Sequence, residues 1–244
     1  MIRSIDEVYQ LIKEEAPKKV AVAQAADAHV LHAIEGAHSE GYADAILIGS
    51  AEKIKKIAAE EGIDLTPYEI VDVEDEQQAA ATAVKMVHEK KADVVMKGLM
   101  GSSTFLREVL NREYGLRKKD SIISAIAVVE LEKVKKLNFI TDLAITPLPD
   151  LDTKIKILNN AVETAHKFGI EIPKVAALSA AETLNKKMAS SCDGAELETM
   201  NKLGKITGCE VAGPISFDLA MSEEAAVEKG YENPVAGKAD ILLV

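Results

Sequence analysis

The chain has 244 residues, 48% hydrophobic but only 4% aromatic, so it can form one large or two small domains around an aliphatic core. Its 29 basic and 40 acidic residues give a net charge of −11, which disfavours binding to nucleic acid or to an anionic membrane. Nothing in the chain resembles a targeting segment, and no apolar run reaches about 18 residues. The cysteines are Cys192 and Cys209 alone, too few for a disulfide scaffold. We therefore expect a cytoplasmic protein.

The first half of the chain alternates short apolar runs with longer amphipathic stretches. The runs predict strands at 20–23, 45–48, 68–71 and 93–96, and the stretches predict helices at 27–40, 51–61, 76–90 and 104–111. Gly41 and Gly62 stand where left-handed helix C-caps are expected. Repeated strand–helix units of this kind predict a parallel sheet with helical crossovers.

This alternation is interrupted near the middle of the chain. The strand candidates at 121–129 and 137–140 are too close for a parallel crossover, which predicts an antiparallel pair or a passage between domains. The pattern then resumes, with helices predicted at 151–168, 196–203 and 222–229 and strands at 174–178, 209–212 and 240–244. We predict an α/β fold of two lobes with mostly parallel sheets, 1–132 and 133–244, and a boundary near 130–136.

The last apolar run, 241–244, has the composition of a buried parallel strand. Such a strand is normally followed by a loop and a helix that cover it. We therefore expect the sequence to be a shortened version of a longer protein, with a genuine terminal strand as the alternative.

The densest group of polar residues follows the fourth predicted strand, in the run Lys97-Gly98-Leu99-Met100-Gly101-Ser102-Ser103-Thr104. Unpaired N–H groups at a helix N-terminus attract phosphate, and the glycines let a ligand approach the backbone closely. Lys97 adds a positive charge, although the order of residues is not that of a Walker loop. The alternative is that Ser103 or Thr104 only caps the helix.

Four further charged residues follow predicted strands, lie at the end of a predicted helix or lie in a turn. Arg117, in the basic run 115–119, is a candidate for a second phosphate clamp facing Lys97, because its guanidinium fits an anion, although a solvated helix end explains it too. Asp142 and Asp218 are candidates for a general base, with a cap or a solvated side chain as the alternative. Lys238 lies in a turn-rich loop and is a candidate to face a ligand. We expect no metal site.

Taken together, several motifs in chain order resemble the phosphate acetyl/butyryltransferase family. They are Val95-Met96-Lys97-Gly98, Thr104-Phe105-Leu106, Glu113-Tyr114-Gly115-Leu116-Arg117, Phe139-Ile140-Thr141-Asp142, Pro149-Asp150-Leu151, Pro173-Lys174-Val175-Ala176, Gly213-Pro214 with Asp218, and 234–242. The Lys97-Gly98 pair and the short length are closer to the phosphate butyryltransferases. Thr146 and Ala212 depart from the family, which often has Asn and Asp there, and the family's C-terminal segment with a Ser-Arg pair is missing.

The resemblance implies reversible transfer of a short acyl group, butanoyl or similar, between CoA and inorganic phosphate. CoA and phosphate are then substrates, and no cofactor is implied. It also implies two lobes with an active-site cleft between them, similar to isocitrate and isopropylmalate dehydrogenases, and a homo-oligomer. Lys97, Gly98, Ser102, Ser103, Thr104, Arg117 and Lys238 are then the candidates for substrate binding, and Asp142 and Asp218 those for catalysis.

Three other functions stay open. A phosphate acyltransferase of lipid synthesis takes its acyl group from an acidic carrier protein, and we expect it to show a basic patch that this acidic chain does not clearly have. A metal-dependent decarboxylating dehydrogenase needs clustered aspartates, of which no obvious set is present. A non-catalytic remnant that binds CoA or phosphate fits a shortened chain.

Overall fold

A computed structural model describes residues 1–131, 134, 136–143 and 145–244. The helices are α1 (Ile5–Lys13), α2 (Ala28–Ser39), α3 (Ala51–Glu61), α4 (Glu76–His88), α5 (Ser102–Val109), α6 (Leu151–Lys167), α7 (Ala189–Lys202), α8 (Phe217–Met221) and α9 (Glu223–Glu228). The strands are β1 (Lys18–Ala23), β2 (Ala43–Gly49), β3 (Glu69–Asp72), β4 (Val94–Lys97), β5 (Ala127–Glu130), β6 (Leu137–Thr141), β7 (Lys174–Leu178), β8 (Glu210–Ile215) and β9 (Ile241–Leu243). Contacts divide the chain into one unit of Tyr9–Lys119 and another of Met1–Val8 with Asp120–Val244.

The unit Tyr9–Lys119 contains a parallel sheet in the order β3-β2-β1-β4. Its central strands are apolar on both faces because helices cover both. Val22 and Leu47 pack with α2 and α3 on one face, and Ala23 and Ile48 pack with α4 on the other. The parallel sheet with helical crossovers is therefore confirmed.

The helices of this unit begin and end where their residues supply caps. Asp27 accepts a hydrogen bond from the backbone N–H of Val30 at 3.1 Å, and Asp75 caps α4 in the same way. Gly62 ends α3 in the left-handed conformation, at a φ of 73°. The predicted helices at 27–40 and 51–61 are confirmed to within a residue at each end.

The other unit contains a sheet in the order β5-β6-β9-β7-β8, in which β5 is antiparallel to β6 and the other pairs are parallel. The predicted antiparallel pair is thus confirmed, and because β5 pairs with β6, this segment belongs to the second unit. The division between the units falls at Lys119 and Asp120, earlier in the chain than the predicted boundary near 130–136, part of which lies outside the described residues.

The last strand, β9, lies in the middle of this sheet between β6 and β7, and all its residues are buried. The prediction of a buried parallel strand there is confirmed. Helix α6 covers one face with Leu158, Ala161 and Ala165, all fully buried. Helices α8 and α9 pack Leu219 and Ala226 against the opposite face. Within the described residues, no helix has both the length and the apolar character needed to cross a bilayer.

Three predicted bounds in this unit are wrong. The strand predicted at 121–129 begins only at Ala127, and the other two errors have identifiable reasons. The strand predicted at 209–212 continues through Gly213 and Pro214 to Ile215, because β8 is an edge strand, where a proline without an N–H is tolerated. Helix α7 begins at Ala189 and not at 196. Its first turns contain weak helix formers, among them Gly194, where a β-carbon would lie 3.1 Å from the Cα of Pro214. Helices α1 and α8 were not predicted.

Candidate functional site

The loops that follow β1 and β4 meet at the carboxyl edge of the sheet in Tyr9–Lys119. The N–H of Gly98 donates to the carbonyl of Ala23 at 2.8 Å, and the N–H of Leu99 donates to the carbonyl of Gln24 at 3.0 Å. A β-carbon on Gly98 would lie 2.2 Å from that Gln24 oxygen, so this close approach requires glycine. The carboxyl ends of parallel strands are where open α/β sheets bind ligands.

Polar contacts hold the loop from Lys97 to Gly101 in place. The ammonium of Lys97 donates to the carbonyl oxygens of Met100 at 3.1 Å and Gly98 at 3.4 Å, while its side chain stays exposed. The N–H of Gly101 donates to the carboxylate of Glu76 at 2.9 Å. An ammonium has three donor hydrogens, so Lys97 can still bind an anion.

The hydroxyls of Ser102, Ser103 and Thr104 surround the first turn of α5. Ser102 and Ser103 are exposed and Thr104 is half-buried. Gly101 is the N-cap, and no side chain caps this helix within the part of the chain that the structure describes. The alternative that Ser103 or Thr104 is a cap is therefore wrong. The hydroxyls, the free N–H groups of the helix and the Lys97 ammonium are donors suited to a phosphate.

Arg117 lies at the other end of α5. The N–H of Leu116 donates to the carbonyl of Val109 at 2.9 Å, which fixes the chain one residue before Arg117 beside the last turn of the helix. Helix α5 has 8 residues, a length of roughly 12 Å at 1.5 Å per residue. The structure therefore separates the backbone at Arg117 from the first turn of the helix by about the length of α5, and this gives no support to a clamp that faces Lys97.

Asp142 follows β6 at the carboxyl edge of the other sheet. Its carboxylate accepts hydrogen bonds from the N–H of Ala125 at 2.7 Å and from the N–H of Thr146 at 2.9 Å. Thr141, just before it, donates its hydroxyl to the carbonyl of Ala125 at 2.9 Å. Asp142 thus connects the chain before β5 with the loop after β6.

Asp218 lies in α8, just beyond the end of β8, and forms an ion pair with Lys229 at 2.9 Å. Lys229 also contacts Glu182 at 2.6 Å, and Ser216 donates to Glu182 at 3.0 Å. Hydrogen bonds from Ser216 and then Lys229 lower the pKa of Asp218 to about 2. Hydrogen bonds from Lys229 and then Ser216 lower the pKa of Glu182, and the bonds that Lys229 donates to Glu182 and then Asp218 raise the pKa of Lys229. At neutral pH Asp218 is a carboxylate and a weak base.

The structure does not bring Asp142, Asp218 and Lys238 together. Strands β9 and β7 lie between β6 and β8, which separates the two carboxylates by roughly 14 Å at the usual spacing of neighbouring strands. Lys238 precedes β9 and so lies towards the opposite, amino edge of the sheet, where its ammonium is 3.3 Å from Glu223. Among the described residues, no group of three or more His, Cys, Asp or Glu side chains is placed to hold a metal ion.

Several polar residues at these edges were not predicted from the sequence. Gln24, Ser179 and Ser216 each come directly after a parallel strand. The same position after a strand was the reason for selecting Asp142. Ser179 contacts the hydroxyl of Ser190 at 3.0 Å. The contacts of Glu76 with Gly101 and of Lys229 with Glu182 join distant parts of the chain, and no sequence signal identifies them.

Similarity to known proteins extends over nearly the whole chain. The family profile described as "Phosphate acetyl/butaryl transferase" matches residues 3–83 and 75–244. The chain is 48% identical to the phosphate butyryltransferase of Clostridium acetobutylicum, over 100% of this chain and 81% of that protein. It is 45% identical to the phosphate butyryltransferase of Clostridium beijerinckii, over 100% and 80%. A branched-chain phosphotransacylase from Enterococcus faecalis superposes with a TM-score of 0.81 and 34% identity, over 93% of this chain and 79% of that one.

Proposed function

Because this chain belongs to the phosphate acetyl/butyryltransferase family, we propose that it is an acyltransferase that moves a short acyl group reversibly between CoA and inorganic phosphate. The loop from Lys97 to Thr104 is the main structural support for this proposal. It presents an ammonium, hydroxyls and a helix N-terminus at the carboxyl edge of a parallel sheet. The similarity to phosphate butyryltransferases supports butanoyl-CoA as the acyl donor.

The reaction requires no covalent intermediate on the protein. A phosphate oxygen attacks the thioester carbonyl, and a tetrahedral intermediate forms. The carbon–sulfur bond then breaks, which releases acyl phosphate, and the CoA thiolate takes up a proton. The protein must hold phosphate beside the thioester carbonyl, so that the two reactants need not meet by diffusion. It must also place hydrogen-bond donors near the developing oxyanion.

We assign phosphate binding to the two ends of α5. At its start, the ammonium of Lys97 and the hydroxyls of Ser102, Ser103 and Thr104 donate to phosphate oxygens, while Gly98, whose own N–H donates to Ala23, keeps the loop against β1. At its other end, Arg117 binds a second anionic group. The length of the helix, roughly 12 Å, exceeds the span of one phosphate ion. CoA carries phosphates in two places, so the two ends of α5 can bind different phosphate groups.

For the other unit, we propose distinct roles for the two aspartates. Asp142 accepts two backbone hydrogen bonds and therefore shapes the edge of the sheet. Asp218 is exposed and ionised, and its low pKa favours an electrostatic role over proton transfer at neutral pH. Lys238 pairs with Glu223 towards the opposite edge of that sheet, and this position gives no support to a role beside Asp142.

The remaining proposals concern the setting of the enzyme. CoA and phosphate act as substrates, and no resident cofactor takes part. The protein works in the cytoplasm as a homo-oligomer, without nucleic acid or membrane as partner. The net charge of −11 disfavours binding to nucleic acid or to an anionic membrane. Sedimentation velocity measures the oligomeric state.

The decisive experiment mixes the chain with butanoyl-CoA and follows the release of CoA thiol with and without inorganic phosphate. We expect release that depends on phosphate, and acyl phosphate detected as its hydroxamate. Acetyl-CoA and isobutanoyl-CoA in the same assay define the acyl preference. Binding of CoA without phosphate-dependent thiol release would indicate a non-catalytic binding protein instead.

A further inference from the structure

Glu108, on α5, is a buried carboxylate that the proposed reaction does not use. Only 3% of the surface of Glu108 is exposed. Its two oxygens accept hydrogen bonds from the hydroxyl of Tyr114 at 2.5 Å and from the side-chain amide of Gln77 at 3.2 Å. In the described part of the chain it has no ion pair. A buried charge is costly unless hydrogen bonds compensate it, so these two contacts hold Glu108 firmly.

The phenol of Tyr114 remains a hydrogen-bond donor to Glu108 well above neutral pH. The hydrogen bond to Glu108 and burial raise the pKa of Tyr114 to about 12, so the phenol keeps its proton and remains a donor. The ammonium of Lys85 lies 4.6 Å from the centre of the Tyr114 ring. This cation–π contact holds the ring from outside the turn.

Tyr114 lies in the turn that carries the chain from α5 to Arg117. The side-chain oxygen of Asn111 accepts the N–H of Glu113, and the N–H of Gly115 donates to the carbonyl of Asn111 at 3.0 Å. A β-carbon on Gly115 would lie 2.2 Å from that carbonyl oxygen, so the turn is tight. The position of Arg117 therefore depends on how the turn is fastened to α5.

The same network reaches the other end of α5. Gln77, which donates to Glu108, follows Glu76, whose carboxylate accepts the N–H of Gly101 at 2.9 Å. The first turn of α4 thus contacts both the loop before α5 and the buried last turn of α5. Through its hydrogen bonds with Gln77 and Tyr114, Glu108 connects the first turn of α4 to the turn that precedes Arg117.

We propose that Glu108 and Tyr114 are positioning residues that hold Arg117 at a fixed place relative to the start of α5. This inference rests on the proposed role of Arg117 in binding a phosphate group of CoA. A guanidinium binds a phosphate well only when it is held close to the productive geometry, because an arginine on a loose turn must first be ordered. The hydrogen bond from Tyr114 to Glu108 orders this turn before CoA binds.

The test is a double-mutant cycle on the full chain, with CoA binding measured by titration calorimetry. One variant is Arg117→Ala. The second combines Glu108→Gln with Tyr114→Phe, which removes the Tyr114 hydroxyl and the charge at position 108 together, while an amide oxygen there can still accept the Gln77 N–H; urea unfolding checks that this variant folds. The third combines all three changes. Tyr68→Phe is the matched control, because within the described residues the Tyr68 hydroxyl has no hydrogen bond.

We expect Arg117→Ala to weaken CoA binding about tenfold, the order expected for losing one hydrogen bond to a charged group. The Glu108 and Tyr114 pair should weaken it nearly as much, and the triple variant should be no weaker than Arg117→Ala. Additive losses, or unchanged binding in either of the first two variants, would overturn the inference. If the wild-type chain binds CoA but releases no thiol, the proposed function fails and this inference stands. If it binds no CoA, both fail.

Discussion

A β-carbon added to Gly98 would lie 2.2 Å from the carbonyl oxygen of Gln24 and 2.8 Å from that of Ala23. No side chain can move aside to relieve this clash, because both oxygens belong to the backbone at the end of β1. The loop that carries the predicted phosphate-binding hydroxyls is therefore fixed by the absence of a side chain at one position.

The first prediction is that Gly98→Ala destabilises the protein by about 1–3 kcal/mol, the range for forcing extra atoms into a packed site. Binding of inorganic phosphate should weaken as the loop moves away from β1. Urea unfolding measures the first effect and calorimetry the second. Gly36→Ala is the control, because a β-carbon there has nothing within 4 Å and a helical alanine is favoured by about 0.5–1 kcal/mol. Wild-type stability in Gly98→Ala would contradict this view of the loop.

The second prediction concerns Lys229 and the pH dependence of stability. The pKa of Asp218 is about 2 in the folded protein instead of its usual 3.8, so its contribution is present above pH 3.8 and is lost as the pH falls towards 2. The pKa of Lys229 is raised above 10.5, so its contribution is present below 10.5 and is lost as the pH rises past its folded value.

Lys229→Met should therefore be less stable than wild type at neutral pH, with a difference that shrinks at both extremes. Denaturant unfolding across the pH range measures it. Lys56→Met is the control, since that exposed lysine is 4.0 Å from Glu60 within one helix. A difference that stays constant from acid to alkaline pH would show that Lys229 acts through packing and not through charge.

The apolar pattern of the chain was enough to predict most of the fold. Helices with clear caps, such as α3 before Gly62, agree to the residue. The errors occur where tertiary contacts outweigh local preference. Pro214 continues β8 because no neighbouring strand needs its N–H, and Gly194 lies inside α7, where Pro214 packs too closely for a β-carbon.

The candidate site was less predictable than the fold. The rule that polar residues after parallel strands face a ligand identifies positions such as Lys97 and Asp142, but it does not say which partners they have. Asp218 follows that rule, yet its partner Lys229 lies beyond α8 in the chain. Lys238 was selected from a turn, and a turn pattern does not distinguish the two edges of a sheet.

The third prediction concerns the two thiols. Cys209 is buried, and burial raises its pKa to about 11, whereas Cys192 is partly exposed. Because the thiolate is the reactive form, iodoacetamide at neutral pH should alkylate Cys192 first and leave Cys209 unmodified in the folded chain. Mass spectrometry of the labelled peptides gives the order, and labelling in denaturant shows that both sites are competent. Equal rates in the folded protein would mean that Cys209 is more accessible than the structure indicates.

The last prediction separates the two roles open to Lys97. Its ammonium ties the loop to the carbonyls of Gly98 and Met100, and it also supplies charge for an anion. If it binds phosphate, Lys97→Met should raise the KM for phosphate about tenfold while kcat changes less, since a hydrogen bond to a charged group is lost. Lys97→Arg should recover part of the loss because the charge remains. Lys55→Met, a change to an exposed lysine of α3, is the control. If Lys97→Met lowers thermal stability and leaves the KM for phosphate at the wild-type value, Lys97 only fastens the loop, and the hydroxyls of Ser102, Ser103 and Thr104 must bind the phosphate without it.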